Sequence, residues 1–341
     1  MTRQWKMSSE PSGTEKRNKQ PILAVVGPTA GGKTALSVAL AMALNGEVIS
    51  CDSMQIYRGM DIGTAKPTPE ERQGIPHHLL DVAAPDVAFS CADYVPLAQR
   101  AVEEIAARGR LPVFCGGTGL YLDSLLRGGL PEEAASDPAL REELLAFAVA
   151  EGNEALHRRL VEVDPESAEK THPNNVKRVA RALEIYHITG LPKSELDRRS
   201  REVESPYELC AIGLRYPTRE LLYQRIDLRV EQMLAEGLLK ETERLWREGV
   251  FERNATAAQA IGYKELLGYL RGEESLEAAV ERLKLATRHY AKRQMTWFGA
   301  KDYVQWIDVD QNGVLRPFNE ILEEALTRIC ARWPSGEEAV P

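Results

Sequence analysis

A chain of 341 residues, 43% hydrophobic and 28% charged, is long enough for two cores and has the make-up of a soluble globular protein, which excludes the fibrous and disordered classes. Five scattered cysteines with no Cys-x-x-Cys pair exclude a disulfide scaffold and a zinc ribbon and fit a reducing, cytoplasmic setting, while the longest apolar run, residues 35–44, is too short to span a bilayer. The net charge of −8 speaks against a polyanion partner only on average, because residues 177–201 hold seven bases against three acids and residues 282–301 hold six bases and no acid.

Residues 1–20 lack an apolar segment and read as a mildly basic disordered tail. "PILAVV", "EVISC" and "LPVFCGG" are short β-branched runs separated by amphipathic stretches, notably 90–108 with Ser90 as N-cap. Such alternation predicts an α/β fold with a parallel sheet covered by helices. From 137 to 201 the texture is helical only. Asp137 is an N-cap with Pro138 at the first helical position, and Gly190 ends a later helix. A strand returns in "ELCAIGLRY", a helix capped by Thr218 follows, and "YVQWIDV" closes the sheet. The predicted plan is a discontinuous phosphate-binding core over 21–130 and 202–312, an all-α insertion over 131–201, and a C-terminal helix and tail over 313–341.

"GPTAGGKT" has the G-x-x-x-x-G-K-[ST] spacing of a phosphate-binding loop, with a strand before it and a helix after it. Gly27, Pro28, Thr29, Ala30, Gly31 and Gly32 form the turn whose backbone N–H groups surround an anion. Lys33 adds a point charge, Thr34 a hydroxyl for Mg²⁺, and the helix its positive end. The spacing implies a diphosphate site without saying which diphosphate. Asp52 stands just past the second strand, where open α/β sheets gather ligands, and is read as a magnesium partner or a general base rather than a turn cap. In "CGGTGLY" the glycines before Thr118 allow a close backbone approach to a ligand, although a plain βα turn looks the same. Arg225, alone, reads as a solvated helix residue.

Taken together and in order, the phosphate loop, "DSMQIYRGMDIGTAKP", "HHLLDV", "GGTGLY", "RALEIYHITG", "IGYKEL" and "AKRQMTWF" resemble the tRNA dimethylallyltransferase family over residues 21 to about 308. The resemblance implies a P-loop NTPase-like sheet whose loop holds dimethylallyl diphosphate rather than ATP. It implies transfer of the five-carbon group to N6 of the adenosine 3′ of the anticodon, in tRNAs reading codons that begin with U. By motif, Asp52 would take the N6 proton, and Ser53, Met54 and Gln55 would contact the adenosine and its neighbours. Thr118 would touch RNA near the amine, and Arg225, with Lys33, would clamp the leaving diphosphate. The insertion would grip the anticodon stem-loop through Arg141 and the segment Lys177, Arg178, Val179, Ala180 and Arg181. A monomer that uses Mg²⁺ and binds no membrane is expected. The family often has serine where Gly31 stands, and its eukaryotic members carry a zinc-finger tail not seen here, so a bacterial-type enzyme is expected. A small-molecule kinase, an isopentenyltransferase for free nucleotides and an RNA-binding ATPase share parts of this pattern. The large insertion and Asp52 fit the tRNA enzyme best.

Overall fold

The structure, a computed structural model, describes residues 19–128 and 136–333. Of the tail expected over 1–20, residues 1–18 lie outside the described residues, as do 334–341, while Gln20 already begins the first strand. The chain divides into two compact units, with breaks between Leu122 and Asp123 and between Pro206 and Tyr207.

In the larger unit the first half runs β1 (Gln20–Val26), α1 (Lys33–Ala43), β2 (Gly46–Ser50), α2 (Pro69–Arg72), β3 (His77–His78), α3 (Cys91–Ala107), β4 (Leu111–Cys115) and α4 (Gly119–Leu126), the last of which crosses the break. In the smaller unit, residues 123–206, are α5 (Pro138–Glu151), α6 (Asn153–Val163), α7 (Pro165–Glu169), α8 (Val176–Thr189) and α9 (Lys193–Glu202). The larger unit resumes with β5 (Tyr207–Arg215), α10 (Arg219–Glu236), α11 (Leu238–Arg247), α12 (Val250–Arg253), α13 (Leu267–Leu270), α14 (Leu276–Gly299), β6 (Val304–Asp308), a hairpin of β7 (Asp310–Gln311) and β8 (Val314–Leu315), and α15 (Phe318–Arg332).

The main sheet has six strands in the order β3-β2-β4-β1-β5-β6, and each neighbouring pair is parallel. β1 is central and Ile22 to Val25 are fully buried, which is why it reads as an unbroken apolar run rather than an alternating one. Leu36 and Leu40 of α1 and Ile321, Ala325 and Ile329 of α15 join Leu23, Val25, Val113 and Ile212 in one core. A second core joins Ile56, Tyr57 and Met60 to Val230, Leu245 and Leu283 of the late helices and to Tyr263 in the turn before α13. β1, β2 and β4 therefore deliver their carboxyl ends, with the phosphate loop, Asp52 and the "GGTG" turn, to one edge of the sheet.

Several local signals take their expected form. Ser90 accepts the Asp93 N–H in a full capping box, Asp137 accepts the Leu140 N–H, and Gly190 ends α8 at φ 70°. Thr218 differs. Its side chain caps nothing; instead its N–H donates to the Asp310 carboxylate at 3.3 Å, a partner brought in by the β7 segment.

The helical unit has its own core of Leu144, Leu156, Leu160, Val179 and Leu183. At its edge the fully buried Glu184 accepts the Asp137 N–H at 2.8 Å and the guanidiniums of Arg141 (2.9 Å) and Arg181 (3.0 Å). Burial alone pushes the Glu184 carboxyl up, but these donors outweigh it and hold it below the usual range. Glu184→Ala removes charge-assisted hydrogen bonds joining α5 to α8 and is expected to cost about 2–3 kcal/mol. Chemical denaturation of the variant checks this, and an unchanged midpoint would show that the cluster contributes nothing net.

Candidate active site

The phosphate loop is shaped by its backbone. Gly27 sits at φ +136°, and a Cβ there would lie 2.7 Å from the Leu214 carbonyl oxygen, so no side chain fits. Gly32 (φ +92°) and Ala30 (φ +58°) complete the left-handed turns. Three loop carbonyls are occupied: the Pro28 oxygen accepts the Gly31 N–H (3.1 Å) and the Lys33 ammonium (2.7 Å), the Ala30 oxygen accepts Arg225 Nε (3.0 Å), and the Gly31 oxygen accepts the Tyr216 hydroxyl (3.3 Å). The first turn of α1 leaves its N–H groups without helical partners, so the loop offers donors rather than acceptors to a ligand.

Thr29 to Thr34 line a cavity of about 240 Å³ that also takes in Asp52, Gln55, Cys115, Arg225, Arg229, Tyr290 and Gln294. Burial pulls the Lys33 ammonium down to about 8, against the pull of Asp52 that favours its charge. Burial also lowers the Arg229 guanidinium, whose Nε meets no hydrogen-bond partner among the described residues. Lys33, Arg225 and Arg229 thus border one cavity with only Asp52 and Glu71 as acids beside them, and an anion is their natural complement.

A second cavity of about 230 Å³ shares Thr29, Ala30, Asp52, Arg229 and Tyr290 with the first, then continues along Ser53, Met54, Ile226, Met233, Ile261, Thr287 and Arg293. Asp52 stands where the two meet. Its Oδ1 accepts the Met54 N–H at 2.9 Å, and burial raises its pKa against that bond and the Lys33 charge. A carboxylate so placed faces a cationic chamber on one side and an apolar one with basic fringes on the other. That arrangement can hold a diphosphate beside a flat apolar acceptor and remove a proton between them.

The segment after Asp52 is braced from outside. Glu241 of α11 accepts the N–H groups of Asp61, Ile62 and Gly63 at 3.0–3.1 Å and the Tyr263 hydroxyl at 2.7 Å. Gln55 holds the same segment from within: its Oε1 accepts the Ser50 hydroxyl, and its Nε2 donates to the Thr64 and Ala65 carbonyls. Gln55, an expected RNA contact, thus braces the segment while also lining the first cavity.

Other expected residues fall in different places. Lys33, Thr34, Asp52 and Arg225 come together in the first cavity, and Ser53 and Met54 in the second. Gly27 and Pro28 shape the loop without lining either cavity. Thr118 also lines neither; its hydroxyl oxygen accepts the Ser53 N–H at 3.1 Å and so supports the Asp52 turn. The glycines around it make room for neighbouring protein atoms, although Gly116 also lines the first cavity. A Cβ at Gly116 would lie 2.0 Å from the Cys51 carbonyl oxygen, and one at Gly119 would lie 2.2 Å from the Trp297 ring. In the helical unit Lys177 and Arg178 are exposed, whereas Val179 and Ala180 are fully buried in its core and have no side chain to offer a ligand. Arg141 and Arg181 are already paired with Glu184. Of the aromatics in "AKRQMTWF" and the turn before it, only Phe298 is in the core; Tyr290 walls both cavities and Trp297 is 38% exposed. Arg229, one helical turn after Arg225, and Gln294, within "AKRQMTWF", join the cavity without a sequence signal of their own for it.

Residues 55–301 match the family model described as IPP transferase. A tRNA dimethylallyltransferase of Bacillus pumilus is 50% identical over 294 residues, which are 86% of this chain and 91% of that protein. The crystal structure of the full-length tRNA isopentenylpyrophosphate transferase of Bacillus halodurans superposes with a TM-score of 0.67 at 46% identity, covering 92% of this chain and 97% of that one. A eukaryotic dimethylallyltransferase described as acting on tRNA gives a TM-score of 0.76 at 30% identity, covering 94% of this chain and 82% of that one.

Proposed function

The chain belongs to the IPP transferase family, and from that premise we propose that it transfers the dimethylallyl group of dimethylallyl diphosphate to N6 of the adenosine 3′-adjacent to the anticodon, in tRNAs reading codons that begin with U, releasing diphosphate. The observation that carries the reading is Asp52 at the junction of a cationic cavity and an apolar one.

An exocyclic adenine amine is a weak nucleophile because its lone pair is delocalised into the ring. An allylic diphosphate answers this by ionising readily, so the protein's main task is to stabilise departing negative charge. Lys33, Arg225, Arg229 and the loop N–H groups do that, and the burial of Lys33 and Arg229 strengthens the action of their fixed charge. As the C–N bond forms, the amine becomes acidic, and Asp52 takes its proton. The Met54 N–H holds the carboxylate in one orientation for this. The second cavity receives the adenine after it leaves its stack, a step that costs little in a single-stranded loop.

The oxygen donors beside the loop, the Thr34 hydroxyl and the Asp52 carboxylate, suit Mg²⁺, and among the described residues no cluster of three or more His, Cys, Asp or Glu competes for it. Thr34 would hold the ion, which when bound neutralises charge on the donor's phosphates. Among the described residues no helix is long and apolar enough to cross a membrane. The working form is a monomer in the cytoplasm that meets tRNA through its anticodon stem-loop.

Incubating the protein with unmodified tRNA and either labelled dimethylallyl diphosphate or labelled ATP tests the proposal. Label should reach RNA from the first only; phosphate transfer from ATP would restore the kinase reading. Lys177 and Arg178, the exposed bases at the start of α8, are the stem contacts proposed here. Replacing either with alanine should lower the slope of log affinity against log salt by about one. An unchanged slope would make them ordinary solvated residues.

A further inference from the structure

We propose that Gln294 is a positioning residue that fixes the donor loop at a set distance from the Asp52 turn; this rests on the reaction proposed above. Gln294 lies on α14, 4% exposed, one turn beyond Tyr290, and borders the first cavity. Its Oε1 accepts the Thr29 N–H at 2.7 Å and its Nε2 donates to the Gly117 carbonyl at 3.2 Å. One carboxamide thus joins the loop after β1 to the turn after β4. That turn holds the Asp52 segment in its own right: Thr118 accepts the Ser53 N–H, and the Thr118 N–H donates to the Cys51 carbonyl at 3.1 Å. Three long-range bonds in series, at Thr29, Gly117 and Ser53, therefore connect the diphosphate cradle to the turn that carries the base.

The chemistry of this link is restrictive. One end must accept and the other must donate, which a carboxamide does and a carboxylate or thioether does not. The fit is equally tight, since a Cβ on Gly117 would lie 1.8 Å from Nε2. Donor binding does not depend on the link. The loop keeps its shape through the Gly31 N–H to Pro28 bond and through Arg225 and Tyr216, none of which involves Gln294. Cutting the link frees the placement of the loop, not its form. A shift of about 1 Å between reacting groups costs about a hundredfold in rate.

Gln294→Met and Gly117→Ala cut the link from opposite sides and keep the proposal testable if one of them fails to fold. In single-turnover transfer with both substrates saturating, each should lose about a hundredfold, with KM for donor and tRNA within about threefold of wild type. The double variant should be little worse than either alone, because both cut one link. Gln294→Glu, which retains only the acceptor, should not restore the rate. Rates within threefold of wild type in Gln294→Met and Gly117→Ala would overturn the proposal, as would a raised donor KM with kcat unchanged. Amide exchange at Thr29 reads the link without any substrate: it should be slow in the wild type and faster in Gln294→Met. If the wild-type protein does not prenylate tRNA, the proposed reaction fails, and equal Thr29 exchange in both proteins would show that the link fails with it.

Discussion

Asp52→Asn should bind donor and tRNA nearly as well as the wild type while losing about 10²–10⁴-fold in the chemical step. Asparagine keeps the shape and can still accept the Met54 N–H, but it cannot accept the amine proton. Because burial raises the Asp52 pKa, the acid limb of the wild-type rate profile should lie above the ordinary aspartate range, and the variant should lack it. The sign for stability is opposite to that for activity. A carboxyl whose folded pKa exceeds its unfolded one binds more protons when folded, so stability falls as pH rises through that window. At neutral pH the ionised Asp52 is a net cost, and Asp52→Asn should melt higher than wild type. An inactive variant with weakened donor affinity would instead assign Asp52 to organising the ion and phosphates. A wild-type single-turnover rate would remove it from the chemistry.

Lys33→Ala should lose about 10³-fold or more in kcat/KM, because it deletes a charge aimed at the departing diphosphate in a desolvated pocket. The ammonium, held at about 8 in the free protein, loses its proton as pH rises through that value. Donor affinity should therefore fall above pH 8, and binding there should draw a proton from solution as the diphosphate restores the charge. Calorimetry in two buffers of different ionisation heat at pH 8.5 reads that uptake directly. An affinity flat from pH 7 to 10 would show that Lys33 is not the group that senses the donor. For the fold the sign again runs the other way. A lysine whose folded pKa is depressed is a cost below about 8 that is relieved as pH rises through that value, and the relief is complete above the unfolded pKa.

The features legible in the sequence are those whose cause is local. β1 and β5 are continuous apolar runs because both faces are buried, and the phosphate loop is a motif because its turn demands glycine at fixed offsets. Where a partner comes from far along the chain, the sequence misleads. Arg225 is exposed, as its helix context implies, but nothing local reveals that its guanidinium also holds the Ala30 carbonyl, 195 residues away. Thr218 looked like a cap because the competing Asp310 carboxylate arrives through a later strand. The glycines near Thr118 fit a ligand or a plain βα turn equally well in sequence, because nothing local reveals that Cys51, Gln294 and Trp297 pack against them. The burial of Val179 and Ala180 is legible, since Val176, Val179, Ala180 and Leu183 repeat at i, i+3, i+4 and i+7, the mark of a buried face. The two-residue strand β3 carries no pattern that could be seen.

The central pairing of β1 with β5 has a cost in time as well as in free energy. Roughly 180 residues separate the two strands, and closing so long a loop opposes their pairing until the whole insertion has been made. At about 5–20 residues per second, β1 leaves the ribosome about 10–40 s before its main partner and must wait with one apolar edge unpaired. The insertion, whose contacts are near in sequence, has no such delay. During refolding the amides of α6 and α8 should gain exchange protection well before those of Ile22 to Val26, and a nascent chain stopped before Tyr207 should be the form most dependent on chaperones.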